Sequence, residues 1–238
     1  MEASTRQKIQ LVLILAMVIA AIRVAWIFYE RREAAKEPVK QEAPGLNPDY
    51  MVTPKKTYAY DLKTAKQELT AQPAWVKVGY YYPYYAFDRS SHRADMTREM
   101  GKLLPLEKLD IKNVYLQPAS GGGSEVMAVF ERQGKLYATS VGREKNQDFK
   151  FFSNDMLFFE DPHQLYKHWP ADVWQAIDQH QAKPGMSEIE VGFAIGVGLM
   201  EQGGSEEDKT LDYPNGGQSW NVTYHNGKAI AVSPGKNQ

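Results

Sequence analysis

The sequence predicts an α+β chain: an N-terminal transmembrane helix, a small antiparallel β-barrel-like region, and two helices packed on a three-stranded antiparallel sheet. Three observations predict it. Residues 9–29 are apolar apart from Gln10 and Arg23. Residues 58–160 hold about six short β-rich runs joined by glycine-containing turns. Residues 161–233 read in order as helix, helix, strand, strand, strand. The segments are then a tail (1–8), an anchor (9–29), a flexible linker rich in proline and charge (30–57), the barrel-like domain (58–160), the helix-helix-strand module (161–233) and a tail (234–238).

The anchor follows from length. At ~1.5 Å per residue the segment spans roughly 31 Å, against a hydrocarbon core of about 30 Å. Cleavage as a signal peptide is disfavoured, since Arg23 or Ile19 would stand where a small residue is needed. Trp26, Phe28 and Tyr29 suit an interfacial aromatic belt, and Arg23 can snorkel to the headgroups. Counting Arg6 and Lys8 against Arg31, Arg32, Lys36 and Lys40 favours a cytoplasmic C-terminal domain.

Residues 61–69 suit a short helix with Leu62, Ala65 and Leu69 on one side. Residues 75–87 are β-rich, with Pro83 marking a bend or edge. Residues 90–104 show no strand pattern and predict a long loop or short helix. Residues 108–116 predict a strand, and Arg132, Gln133 and Gly134 a hairpin turn between residues 126–130 and 135–141. Residues 149–152 and 156–159 complete the β set, whose rhythm resembles a bacterial Src-homology-3-like barrel. Asp161 before Pro162 starts a helix, residues 170–180 carry Val173, Trp174 and Ile177 on one face, and Ser187 with Glu190 forms a capping box. Residues 201–208 are a polar loop. Three strand candidates follow, carrying Leu211 and Tyr213, then Trp220, Val222 and Tyr224, then Ile230 and Val232, with turns at Asn215-Gly216 and Asn226-Gly227.

Pro184-Gly185-Met186-Ser187, the Ala194-Ile195-Gly196 stop, the aromatic strand and the hairpin ending at Ile230 resemble the SmpA/OmlA (BamE-like) outer-membrane assembly lipoprotein family. The resemblance covers roughly residues 161–232. It implies a non-enzymatic binding module with an extracytoplasmic domain, although this chain has no cysteine to carry a lipid. It therefore turns the expected location to the inner membrane with the C-terminal domain in the periplasm, against the charge count.

Composition excludes several chemistries. With 43% hydrophobic residues, 24% charged and a net charge of -1, the chain is ordinary globular material with no pull toward nucleic acid. Without cysteine it has no disulfide, zinc-thiolate site or thiol nucleophile. His163, His168 and His180 cluster with Glu160, Asp161 and Asp178, but none has the i, i+4 spacing of a metal-binding helix pair, so solvated helix faces are the better reading. The glycines of residues 120–124 lack a P-loop ending, and Glu206, Glu207 and Asp208 read as a solvated charge run. No Gly-x-Ser-x-Gly elbow is present. The expectation is no enzyme, no cofactor and no metal.

The tyrosine-rich run is the most unusual local feature. On a strand about half of Tyr80, Tyr81, Tyr82, Tyr84, Tyr85 and Phe87 would enter the core and the rest face outward. Tyr80, Tyr82 and Tyr84, with Trp220 and Tyr224, are accordingly the expected contacts for an envelope protein partner. The expected role is a membrane-anchored scaffold or assembly accessory. The alternatives are a barrel binding peptidoglycan or a small ligand, an envelope hydrolase, or a cytoplasmic-side membrane-complex subunit.

Overall fold

The central hairpin sets the architecture. In this computed structural model, which describes residues 17–18, 21–27, 47–200 and 208–235, strand β6 (Ser124–Arg132) turns into β7 (Lys135–Lys145). Gln133 and Gly134 turn the chain at φ 50° and 76°, the left-handed pair that matches strand twist. On its free side β7 pairs with β2 (Pro83–Asp88) through its first half and with β8 (Asp148–Phe151) through its second. β6 pairs with β5 (Ile111–Pro118), and β2 with β3 (Arg93–Lys102), giving a six-stranded sheet ordered β3-β2-β7-β6-β5 with β8 on β7.

This sheet is covered on both faces, which explains the unbroken apolar run of β6. Val126, Ala128 and Phe130 enter one core with Leu109, Val114 and Val141, while Met127 and Val129 enter a smaller one with Ala94 and Ala138. The two ends of the strand order meet through one side chain. Gln117 of β5 donates from Nε2 to Ala94 O of β3 at 2.9 Å and accepts from Ala94 N at 2.8 Å, so its amide stands in for a neighbouring strand. Helix α1 (Leu62–Thr70) seals the larger core with Ala65 and Leu69, its start fixed by a reciprocal Asp61–Thr64 capping box.

A second, three-stranded sheet joins this body to the C-terminal region. It is ordered β4 (Lys108–Leu109), β1 (Ala74–Val76), β9 (Leu157–Phe158). Because strand side chains alternate, Leu157 enters the core of the large sheet and Phe158 the C-terminal core. That C-terminal core lies between α4 (Ala171–Asp178), α5 (Glu188–Ile195) and a four-stranded sheet ordered β10 (Leu199–Met200), β11 (Asp208–Tyr213), β12 (Trp220–His225), β13 (Lys228–Pro234). The short helices α2 (Ser153–Met156) and α3 (Pro162–Leu165) flank β9. The described residues from Pro48 onward form one compact unit.

Several expectations need correction. The protein is mostly β, in three antiparallel sheets, rather than α+β with a transmembrane helix. Among the described residues no helix is long and apolar enough to cross a membrane. Of the expected anchor 9–29, only residues 17–18 and 21–27 are described, and they are helical. The remainder of 9–29, and all of 1–8, lie outside the described residues. The single-pass and inner-membrane assignments, with their periplasmic domain, are withdrawn on that finding. Residues 90–104 are not a loop or helix: residues 93–102 form edge strand β3. Its register slips between Phe87↔Ala94 and Tyr85↔Glu99, and Thr97 folds back onto Asp95, which erases the alternation a strand would print in sequence. The C-terminal sheet has four strands, the extra one being β10. Residues 201–207 and 236–238 lie outside the described residues.

The expected tether is also different where it is described. Residues 30–46 lie outside the described residues, but from residue 48 the chain is a strap held against the body. A 3-10 turn, Pro48–Met51, places Asp49 Oδ1 2.6 Å from Trp169 Nε1 and 2.7 Å from His168 Nε2. Val52 packs on the C-terminal core, Glu160 accepts from Lys55 N, and Glu68 accepts from Tyr58 N. Asn154 clamps Thr57 on both sides, accepting from its N at 2.8 Å and donating to its O at 2.8 Å.

Candidate binding surfaces

Coverage of both sheet faces decides the fate of the tyrosine run. On β2, Tyr84 turns toward the larger core, and Tyr85 and Phe87 toward the smaller. Tyr84 meets Phe130 and Tyr137 edge-on at 6.1 and 5.1 Å and lies under the Arg132 guanidinium at 4.4 Å. Arg132 is held in turn by a bidentate pair with Glu107, Nε donating at 2.7 Å. Tyr84 is thus a packing residue whose one open face is taken by a cation.

Tyr80 has a different structural task. Its backbone is left-handed, φ 56°, and its N–H donates to Leu103 O at 2.7 Å. Its ring lies against two glycines of the C-terminal region: a Cβ on Gly216 would come within 2.8 Å of Tyr80 Cδ1, and one on Gly196 within 3.1 Å of Cδ2. Tyr80 therefore pins the β-rich body to the C-terminal region, and burial raises its hydroxyl pKa.

The expected contacts on β12 are largely internal as well. Tyr224 is 1% exposed, and its hydroxyl lies 2.6 Å from that of Tyr213. Burial is the main cause that raises both phenols, Tyr213 to about 12 and Tyr224 further still. Tyr224 offers no surface to a partner. Trp220 is half-buried, set against the same core and facing Tyr213 and Pro234 across the ladder.

Tyr82 keeps a surface. Its ring stacks on Phe152 at 6.1 Å, nearly parallel, and meets Tyr81 edge-on at 4.9 Å. Tyr81, part of the run but not among the expected contacts, is 61% exposed. The strap arrives beside this group, because Thr57 bonds both Ser153 and Asn154, the residues just after Phe152. Alternation along the strap then sends Ala59 toward the core and leaves Tyr58 and Tyr60 at 77% and 74% exposure. Tyr58, Tyr60, Tyr81, Tyr82 and Phe152 thus come from three stretches of chain joined by those contacts. Their rings carry the contact area and amphipathic edge favoured at protein interfaces.

His163 and His168 are held by carboxylates rather than solvated singly. His163 stacks on Trp174, centroids 4.1 Å apart, with Nδ1 3.1 Å from Asp161 Oδ1 and Nε2 3.2 Å from Asp178 Oδ1. A fifteen-residue separation hides the second contact from any local pattern. His163, Trp174 and Asp178, together with Lys167 and Gln175, line an open groove of about 510 Å³. Both ring nitrogens face carboxylates, so neither is turned toward a nucleophile, as a hydrolytic base must be. His168 serves the strap through Asp49. Among the described residues no group of three or more His, Asp or Glu is placed to hold a metal. No protein-family model, curated protein or solved structure matches this chain.

Proposed function

We propose that this chain is a non-catalytic protein-binding module whose partner docks on the aromatic surface of Tyr58, Tyr60, Tyr81, Tyr82 and Phe152. The observation that carries the reading is the exposure of Tyr58, Tyr60 and Tyr81 on backbone that is itself tied down. Single exposed rings are common and mean little, but rings presented on fixed backbone lose little conformational freedom when a partner covers them. The resemblance of residues 161–232 to non-enzymatic assembly lipoproteins points the same way.

The test is capture by a purified chain carrying Tyr58→Ser, Tyr60→Ser and Tyr81→Ser together, compared with the wild type in cross-linking pull-downs from the native lysate. Loss of the same cross-linked species with an unchanged melting temperature is expected. Undiminished capture contradicts the placement.

A further inference from the structure

A second hollow, of about 400 Å³, opens where three chain reversals converge: the turn at 104–107, the tip of the β6–β7 hairpin, and the end of α4. Each reversal places a non-glycine residue in the left-handed region, Leu106 at φ 52°, Gln133 at φ 50° and His180 at φ 52°. His180 is the sharpest case. It occupies the position after a helix end where glycine is usual, with Gln181 N donating to Ala176 O and His180 N to Ile177 O, both at 2.9 Å. Left-handed backbone costs an ordinary residue roughly 1–2 kcal/mol, and such strain gathers where a site needs a particular side chain. The His180 side chain is committed here, Nδ1 lying 3.3 Å from Ala194 O.

The lining defines a ligand chemistry. Leu104 and Leu106, both partly exposed, give an aliphatic floor, and Pro105 and Ile177 line it from buried positions. The charged groups are Glu107, Arg132 and Asp178, and since Glu107 and Arg132 neutralise each other, Asp178 is the carboxylate in excess. Asp178 ends α4, where the negative end of the helix dipole favours a cation. His163 meets Asp178 from the neighbouring groove, leaving acceptor capacity on a carboxylate with about four lone-pair sites. We propose that this cleft binds an aliphatic cation, an ammonium or guanidinium on a hydrocarbon stem, the stem on Leu104 and Leu106 and the charge at Asp178. Its size falls within the ~300–1,000 Å³ usual for small-molecule sites.

The experiment is an NMR titration of the full ¹⁵N-labelled chain with 1,5-diaminopentane, Nα-acetyl-lysine amide and the neutral control pentan-1-ol. Saturable amide shifts at Leu106, Ile177 and His180 with the amines, and none with the alcohol, are expected. Asp178→Asn should weaken amine binding about tenfold, ~1.4 kcal/mol. Tighter binding of the diamine would identify a free small cation, and tighter binding of the lysine amide a protein-borne lysine. Absence of saturable shifts, equal binding of pentan-1-ol, or unchanged affinity in a folded Asp178→Asn chain would overturn the proposal. Because the neutral control needs no variant, a folding defect in Asp178→Asn leaves the test decisive.

Discussion

Two tyrosine-bearing stretches use their rings in opposite ways. Residues 80–87 are conspicuous in sequence, yet Tyr80, Tyr84, Tyr85 and Phe87 are occupied by packing. The strap from residue 48 to 60 spans the end of the expected linker and the start of the expected barrel-like domain, yet it holds Tyr50, Tyr58 and Tyr60 out toward solvent. Coverage makes the difference. A strand in a sheet buried on both faces spends both sets of alternating side chains, whereas a strap pinned through its backbone can bury one side and display the other.

The comparison is easiest to break at the Tyr80 pin. Gly196 has φ +90°, and a Cβ there would come within 2.8 Å of Gly79 O as well as meeting the Tyr80 ring. Gly196→Ala should cost about 3 kcal/mol, the scale of combined backbone strain and core overpacking, read as a shift of the chemical denaturation midpoint. Tyr84→Ala should cost about 2–3 kcal/mol, because it removes a half-buried ring and the seat of the Arg132 guanidinium. A cost within about 0.5 kcal/mol, the surface value, would return Tyr84 to the exposed class.

The buried Tyr213–Tyr224 pair sharpens the contrast through pH. Both phenols are raised above the ordinary value near 10, so the unfolded chain ionises first as pH rises. Their contribution is therefore fully present below about pH 10 and is lost as pH climbs through the range between the unfolded and folded values. Melting temperature should fall steeply above pH 10, with part of the tyrosinate absorbance appearing only on unfolding. Smooth titration of every tyrosine in the folded chain would show that the pair is accessible. Asn154→Ala, which frees Thr57 N and O together, should cost about 1–2 kcal/mol and speed hydrogen exchange at Thr57 and Tyr58.

Local chemistry was legible and long-range coverage was not. The Ser187–Glu190 box, the Asp161 cap before Pro162 and the hairpin at Gln133-Gly134 form where their residues predict them. Strand β3 was hidden because it pairs irregularly at a sheet edge and is closed by the side chain of Gln117, twenty-three residues away. The strap was hidden because Asp49 finds Trp169 and Thr57 finds Asn154 across 120 and 97 residues. For the candidate surface, Tyr81 and Tyr82 are visible as part of a run, but Tyr58 and Tyr60 stand out only once the strap is placed. Sequence alternation at Tyr58, Ala59 and Tyr60 was the one available clue.

The most direct test of the account is the rate at which each tyrosine of the folded chain is modified by a water-soluble ring-labelling reagent, read residue by residue by mass spectrometry. The account predicts fast labelling at Tyr58, Tyr60 and Tyr81, intermediate labelling at Tyr82, and protection of Tyr80, Tyr84 and Tyr224. Fast labelling of Tyr80 and Tyr84 with protection of Tyr58 and Tyr60 would contradict it, and would move the binding surface back to the tyrosine run.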